Sequence, residues 1–73
     1  MTENGTPKVL DVVALTQDIP ARGLVRGQVG TIVEELAPGV FEVEFADEQT
    51  GQAFAMLSLR ADQLLPLHYS PTV

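Results

Sequence analysis

The chain has no cysteine, one histidine, and only four lysines and arginines among its 73 residues. Without thiols there are no disulfides, thiolate metal sites or thiol nucleophiles. His68 stands alone near the end of the sequence, so work as a general base would require a partner from a distant segment. Ser58 and Ser70 lack the Gly-x-Ser-x-Gly elbow of a serine nucleophile. No run approaches the roughly 18 apolar residues of a membrane span. Residues 1–8 include Glu3 and Lys8 but no apolar stretch of a signal peptide, which makes the cytoplasm the expected location. The shortage of positive charge is also informative. Ten carboxylates against four cations leave a formal charge of −6, which repels nucleic-acid phosphates and favours solubility or a basic protein partner.

Apolar residues nevertheless make up 45% of the chain, enough for a globular core and unlike a disordered tail. The length allows one domain, close to the lower limit for folding without a metal or disulfide, where an oligomer or partner interface adds stability. Residues 1–8, with Asn4-Gly5-Thr6-Pro7, read as a flexible lead-in, 9–69 as the folded domain and 70–73 as a tail.

The apolar pattern has the two-residue period of strands. Val9 to Leu15 is the first, with Leu10, Val12 and Ala14 expected on the core side and Asp11 in water. Thr16 to Gln28 contains Pro20, Gly23 and Gly27, which is too long for a tight hairpin and too broken for a helix. Its apolar anchors Ile19, Leu24 and Val25 suggest a loop folded back on the domain, where binding residues often lie. Val29 to Leu36 is a β-branched strand in which adjacent Ile32 and Val33 break alternation, as at a bulge or a bend. Pro38-Gly39 fits the centre of a type II turn. Phe41, Val43 and Phe45 then alternate with Glu42 and Glu44 in the clearest strand of the chain. Gly51 is placed for a left-handed residue in the next hairpin. Gln52 to Leu59 follows, with Ala55, Leu57 and Leu59 on one face and Phe54, Met56 and Ser58 on the other. Arg60 to Leu64 holds a single helical turn, and Leu65 to Tyr69 a short edge strand limited by Pro66. The expected fold is all-β: a small SH3-like barrel of five strands with a long first loop and one helical turn before the last strand.

Four segments carry a family resemblance: Leu10-Asp-Val-Val-Ala-Leu15, Gly23-Leu-Val-Arg-Gly-Gln-Val-Gly-Thr-Ile-Val33, Pro38-Gly-Val-Phe-Glu-Val-Glu-Phe45 and Leu59-Arg-Ala-Asp-Gln-Leu-Leu-Pro-Leu67. On these the chain resembles the short bacterial proteins of domain-of-unknown-function family 4926, from Val9 nearly to Tyr69. That resemblance implies bacterial cytoplasmic proteins without assigned catalysis, and hints at an antitoxin or immunity role. The stretch Val25-Arg-Gly-Gln-Val-Gly-Thr-Ile32 is also similar to the barrel domain of nitrile hydratase β-subunits, which implies the fold. The metal-binding cysteine motif of that enzyme lies in another subunit and is absent here. Neither resemblance supplies functional residues to carry over.

Several patterns that suggest chemistry fail on spacing. Glu34, Glu35, Glu42, Glu44, Asp47 and Glu48 do not follow a calcium-loop pattern and read as a solvated acidic face or a surface for a basic partner. Gly23, Gly27 and Gly30 match neither a dinucleotide nor a phosphate-binding loop. Gly27-Gln-Val-Gly30 echoes an RNA-binding loop but leads into a strand rather than joining helices. No cofactor or metal is expected. Candidate partner-binding residues are Asp18, Arg22 and Arg26 on the long loop, Glu42 and Glu44 on the central strand, and Phe54, Met56 and Tyr69. The two arginines either pair locally with Asp18 and the acidic hairpin or present guanidinium groups to partner carboxylates. Phe54 and Met56 either pack under the long loop or stand partly exposed as interface anchors. The expectation is a non-enzymatic protein-protein interaction module of antitoxin, immunity or accessory type with a basic protein partner, with homo-oligomers also compatible. The alternative is a scaffold or accessory subunit of a larger enzyme complex.

Overall fold

The computed structural model describes residues 7–68. They form five strands, β1 (Val12–Leu15), β2 (Val29–Ala37), β3 (Val40–Ala46), β4 (Ala53–Arg60) and β5 (Leu64–Pro66), with 3-10 turns at Pro20–Arg22 and Ala61–Gln63. All pairings are antiparallel and the sheet order is β4-β3-β2-β1-β5. One core cluster draws on every strand: Val13 and Leu15, Ile32, Phe41, Val43 and Phe45, Leu57 and Leu59, and Leu64. A flat sheet cannot bring side chains from both of its ends together, so this sheet curls around its inner face as an SH3-like barrel.

The alternation in β3 and β4 places residues as their sequence directs. Phe41, Val43 and Phe45 are buried opposite Leu59, Leu57 and Ala55, while Glu42 and Glu44 face outward beside Ser58 and Met56. In β2 the register shifts between Ile32 and Glu34, so Val33 is the extra residue of the expected bulge. The β2–β3 link is the Pro38-Gly39 pair between paired Ala37 and Val40, with Gly39 at φ 77° as a type II turn requires.

β1 departs from its expected facing. Val13 and Leu15 are buried at 0% and 2% exposure, whereas Leu10 is 75% exposed, so the odd-numbered face points to the core. The strand begins only at Val12, after a turn over Lys8 to Asp11 that the Asp11 N–H closes on the Lys8 carbonyl at 3.0 Å. Leu10 takes φ 78° in that turn, which ends the alternation begun at Val9. The remaining Val-Val-Ala-Leu is apolar at every position, so periodicity alone could not choose its face.

The long loop folds back on the domain. Ile19 and Leu24 exchange backbone hydrogen bonds of 2.9 and 3.2 Å around the Pro20–Arg22 turn, and Leu24 enters the core. At the other end of the chain, the Ala61–Gln63 turn is tied to the β2–β3 link by the Ala61 N–H on the Gly39 carbonyl at 2.9 Å. The Gln63 carbonyl accepts from the Thr16 N–H at 3.0 Å, which joins this turn to the start of the long loop.

β2 serves both halves of the sheet because Gly30 lets it cross β3 closely. A Cβ at Gly30 would lie 2.8 Å from Phe45 Cε1 and 2.9 Å from the Glu44 carbonyl oxygen, closer than carbon atoms approach. Phe45 is fully buried and has no space into which to retreat. Gly30→Ala is expected to cost about 1–3 kcal/mol, the usual penalty of overpacking a core, read as a lower urea midpoint at unchanged slope. An unchanged midpoint would show that the Phe45 ring yields. Leu10→Gly is expected to stabilise by about 0.5–1 kcal/mol, because a left-handed leucine is strained and this side chain buries little. A lower melting temperature for that variant would assign Leu10 a packing role.

Candidate functional site

The β2–β3 ladder ends at the Thr31–Glu44 pair, and an open groove lies beside it. One rim is the turn Val25 to Gln28, with Gly27 at φ 90° and the Gln28 N–H on the Val25 carbonyl at 3.0 Å. The opposite rim is Asp47, Glu48 and Gln49 of the β3–β4 connection, and Val29, Gly30, Thr31, Glu44, Ala46 and Phe54 line the space between.

Each rim is built by side chain to backbone bonds. The Asp18 carboxylate accepts the Arg26 N–H at 2.8 Å, and Gln28 Oε1 accepts the Val25 N–H at 3.3 Å. Asp47 Oδ1 accepts the N–H groups of Gln49 and Thr50 at 2.7 and 3.1 Å, the local ring that favours Asp in such turns. The Gly27 N–H on the Leu15 carbonyl at 2.8 Å anchors the first rim to β1.

The structure divides the sequence candidates. Arg26, Glu44 and Phe54 line the groove. Met56 is the cross-strand partner of Glu44 on the same outer face. Phe54 and Met56 are 52% and 44% exposed and so stand outward rather than packed under the long loop. Glu42 lies one outer-face position along β3 from Glu44, paired with Glu34 on one side and Ser58 on the other. Asp18 supports the rim without lining the groove, and Arg22 ends the Pro20–Arg22 turn outside the lining. Tyr69 falls outside the described residues.

The expected local pairing of the arginines is corrected in kind. Asp18 binds the backbone of Arg26, not its guanidinium, and the one ion pair among the described residues joins Arg60 to Asp62 at 3.0 Å. Glu34 and Glu42 therefore face each other as direct cross-strand neighbours of like charge, an arrangement that destabilises a sheet. Among the described residues no group of His, Asp or Glu is gathered to hold a metal ion, and His68 is exposed beyond β5.

Val29, Thr31 and Gln49 of the lining were not foreseen. Their only signal in the sequence was Gly30, whose missing side chain lets β2 and β3 approach. The fold and its groove define a small all-β barrel with an open cleft that carries Glu44, Asp47 and Glu48 along with Arg26. Within that class, the chain belongs to the family Domain of unknown function (DUF4926), whose model matches residues 9–66. No curated protein and no solved structure matches the chain, and the likeness to the nitrile hydratase barrel is not shown by these comparisons. Among the described residues no helix is long and apolar enough to cross a membrane.

Asp18→Ala is expected to cost about 1 kcal/mol and to speed hydrogen exchange at the Arg26 amide, while Asp18→Asn keeps much of the protection. Equal exchange in all three proteins would mean that the turn holds without this acceptor.

Proposed function

We propose that this protein is a non-enzymatic interaction module whose outer sheet face and groove bind a basic protein surface. The observation that carries this reading is the unneutralised row Glu34–Glu42, next to Glu44, flanked by exposed Met56 and Phe54. Like charges held opposite each other cost stability in the free protein, and a cationic partner turns that cost into attraction. Met and aromatic side chains beside the carboxylates supply the apolar anchors of such an interface. Arg26 on the rim offers a planar guanidinium to a partner carboxylate and so orients the complex. Antitoxin, immunity and accessory proteins all act through contacts of this kind, and the neighbouring gene's product is the first partner to assay.

In a pull-down of that product, Phe54→Ser and Arg26→Glu are each expected to weaken binding about tenfold or more, equivalent to about 1.4 kcal/mol. Glu42→Lys is expected to weaken binding while stabilising the free protein by up to about 1 kcal/mol in urea, since it converts a repulsive cross-strand pair into an attractive one. Phe54→Ser and Arg26→Glu variants that both bind like wild type would refute this surface.

A further inference from the structure

The two edges of the sheet are protected very differently. β5 is three residues long and carries Pro66, which cannot donate to an added strand. β4 is eight residues long, contains neither proline nor lysine, and pairs only with β3 among the described residues. Its outer-face side chains Phe54 and Met56 are exposed, and its one charge, Arg60, stands at its end. Natural sheets usually guard an edge of this length with proline, charge or a covering segment.

We infer that β4 pairs with β4 of a second copy, antiparallel about a two-fold axis at Leu57. Direct neighbours in an antiparallel pair share a face, so the two strands must align like face with like face. The register shift between Phe45 and Ala46 makes Phe54 the extra residue of a bulge, which leaves Ala55 to Arg60 as the regular stretch. Centring on Leu57 pairs Ala55 to Leu59 of that stretch and sets Arg60 against Phe54. Ala55 meets Leu59 of the second copy and Met56 meets Ser58 of the second copy, each twice. At both ends Arg60 reaches Phe54 of the other copy, beside its acidic Asp47–Glu48 turn. That contact sets the Arg60 guanidinium, which its own Asp62 holds at 3.0 Å, against an exposed aromatic ring and carboxylates, the charge complementarity that favours a second copy over an arbitrary strand. The arrangement is isologous and consumes the only long bare edge among the described residues, so assembly stops at two copies instead of growing into a fibre. Edge pairing uses backbone groups and leaves the outer faces of both sheets open. The dimer shares Phe54 and the Asp47–Glu48 turn with the proposed partner surface and leaves Glu34, Glu42 and Glu44 open on each copy.

Sedimentation of the full chain over a concentration series is expected to show a species of twice the 7.9 kDa chain mass. Amide exchange in β4 should slow as that species forms. Met56→Lys, at an exposed site, is expected to sediment as a monomer with an unchanged circular-dichroism spectrum. Leu65→Lys on the other edge strand should remain a dimer, which separates edge pairing from general apolar adhesion. Three results would overturn the inference. One is a wild type that stays monomeric throughout the series. Another is a monomer whose β4 amides are protected at every concentration, which would give the edge to a segment of the same chain. The last is a dimer that Met56→Lys leaves intact.

Discussion

The close passage of Gly30 over Phe45 and the Glu44 carbonyl is the contact on which the molecule's shape depends. Two sheet halves share β2, and they fold around one core only if that strand lies against β3 at the crossing without a side chain between them. The β2–β3 ladder ends beside this contact at Thr31–Glu44, and Gly30 also lines the groove.

The acidic outer face is built on this frame at some expense to the free protein. Glu34 and Glu42 are direct neighbours, and the cations of the described chain do not neutralise them. Stability alone would replace one of the pair with a neutral or basic residue, because surface positions on a strand tolerate such changes. Under the proposed function, this pair is a recognition feature.

Much of the architecture was legible in the sequence because β3 and β4 each have one buried and one wet face, so period-two alternation reports their orientation directly. The bulge at Val33 and the turn at Gly39 were legible for local steric reasons. β1 was not, because all four of its residues are apolar and Leu10 adopts a conformation that leucine rarely takes. Of the site, the arginine, glutamate and aromatic members could be named, but not which of them meet. Arg26 and Phe54 line the same groove, whereas Arg22, only four residues earlier, lies beyond it. Long-range register decides such juxtapositions, and short sequence windows do not contain it.

The Ile19–Leu24 bridge has one further consequence. With Leu24 sunk in the core and Asp18 holding the Arg26 amide, the long loop is ordered before any encounter takes place. Under the proposed function, a partner at this rim would meet a finished surface and lose little conformational entropy on docking.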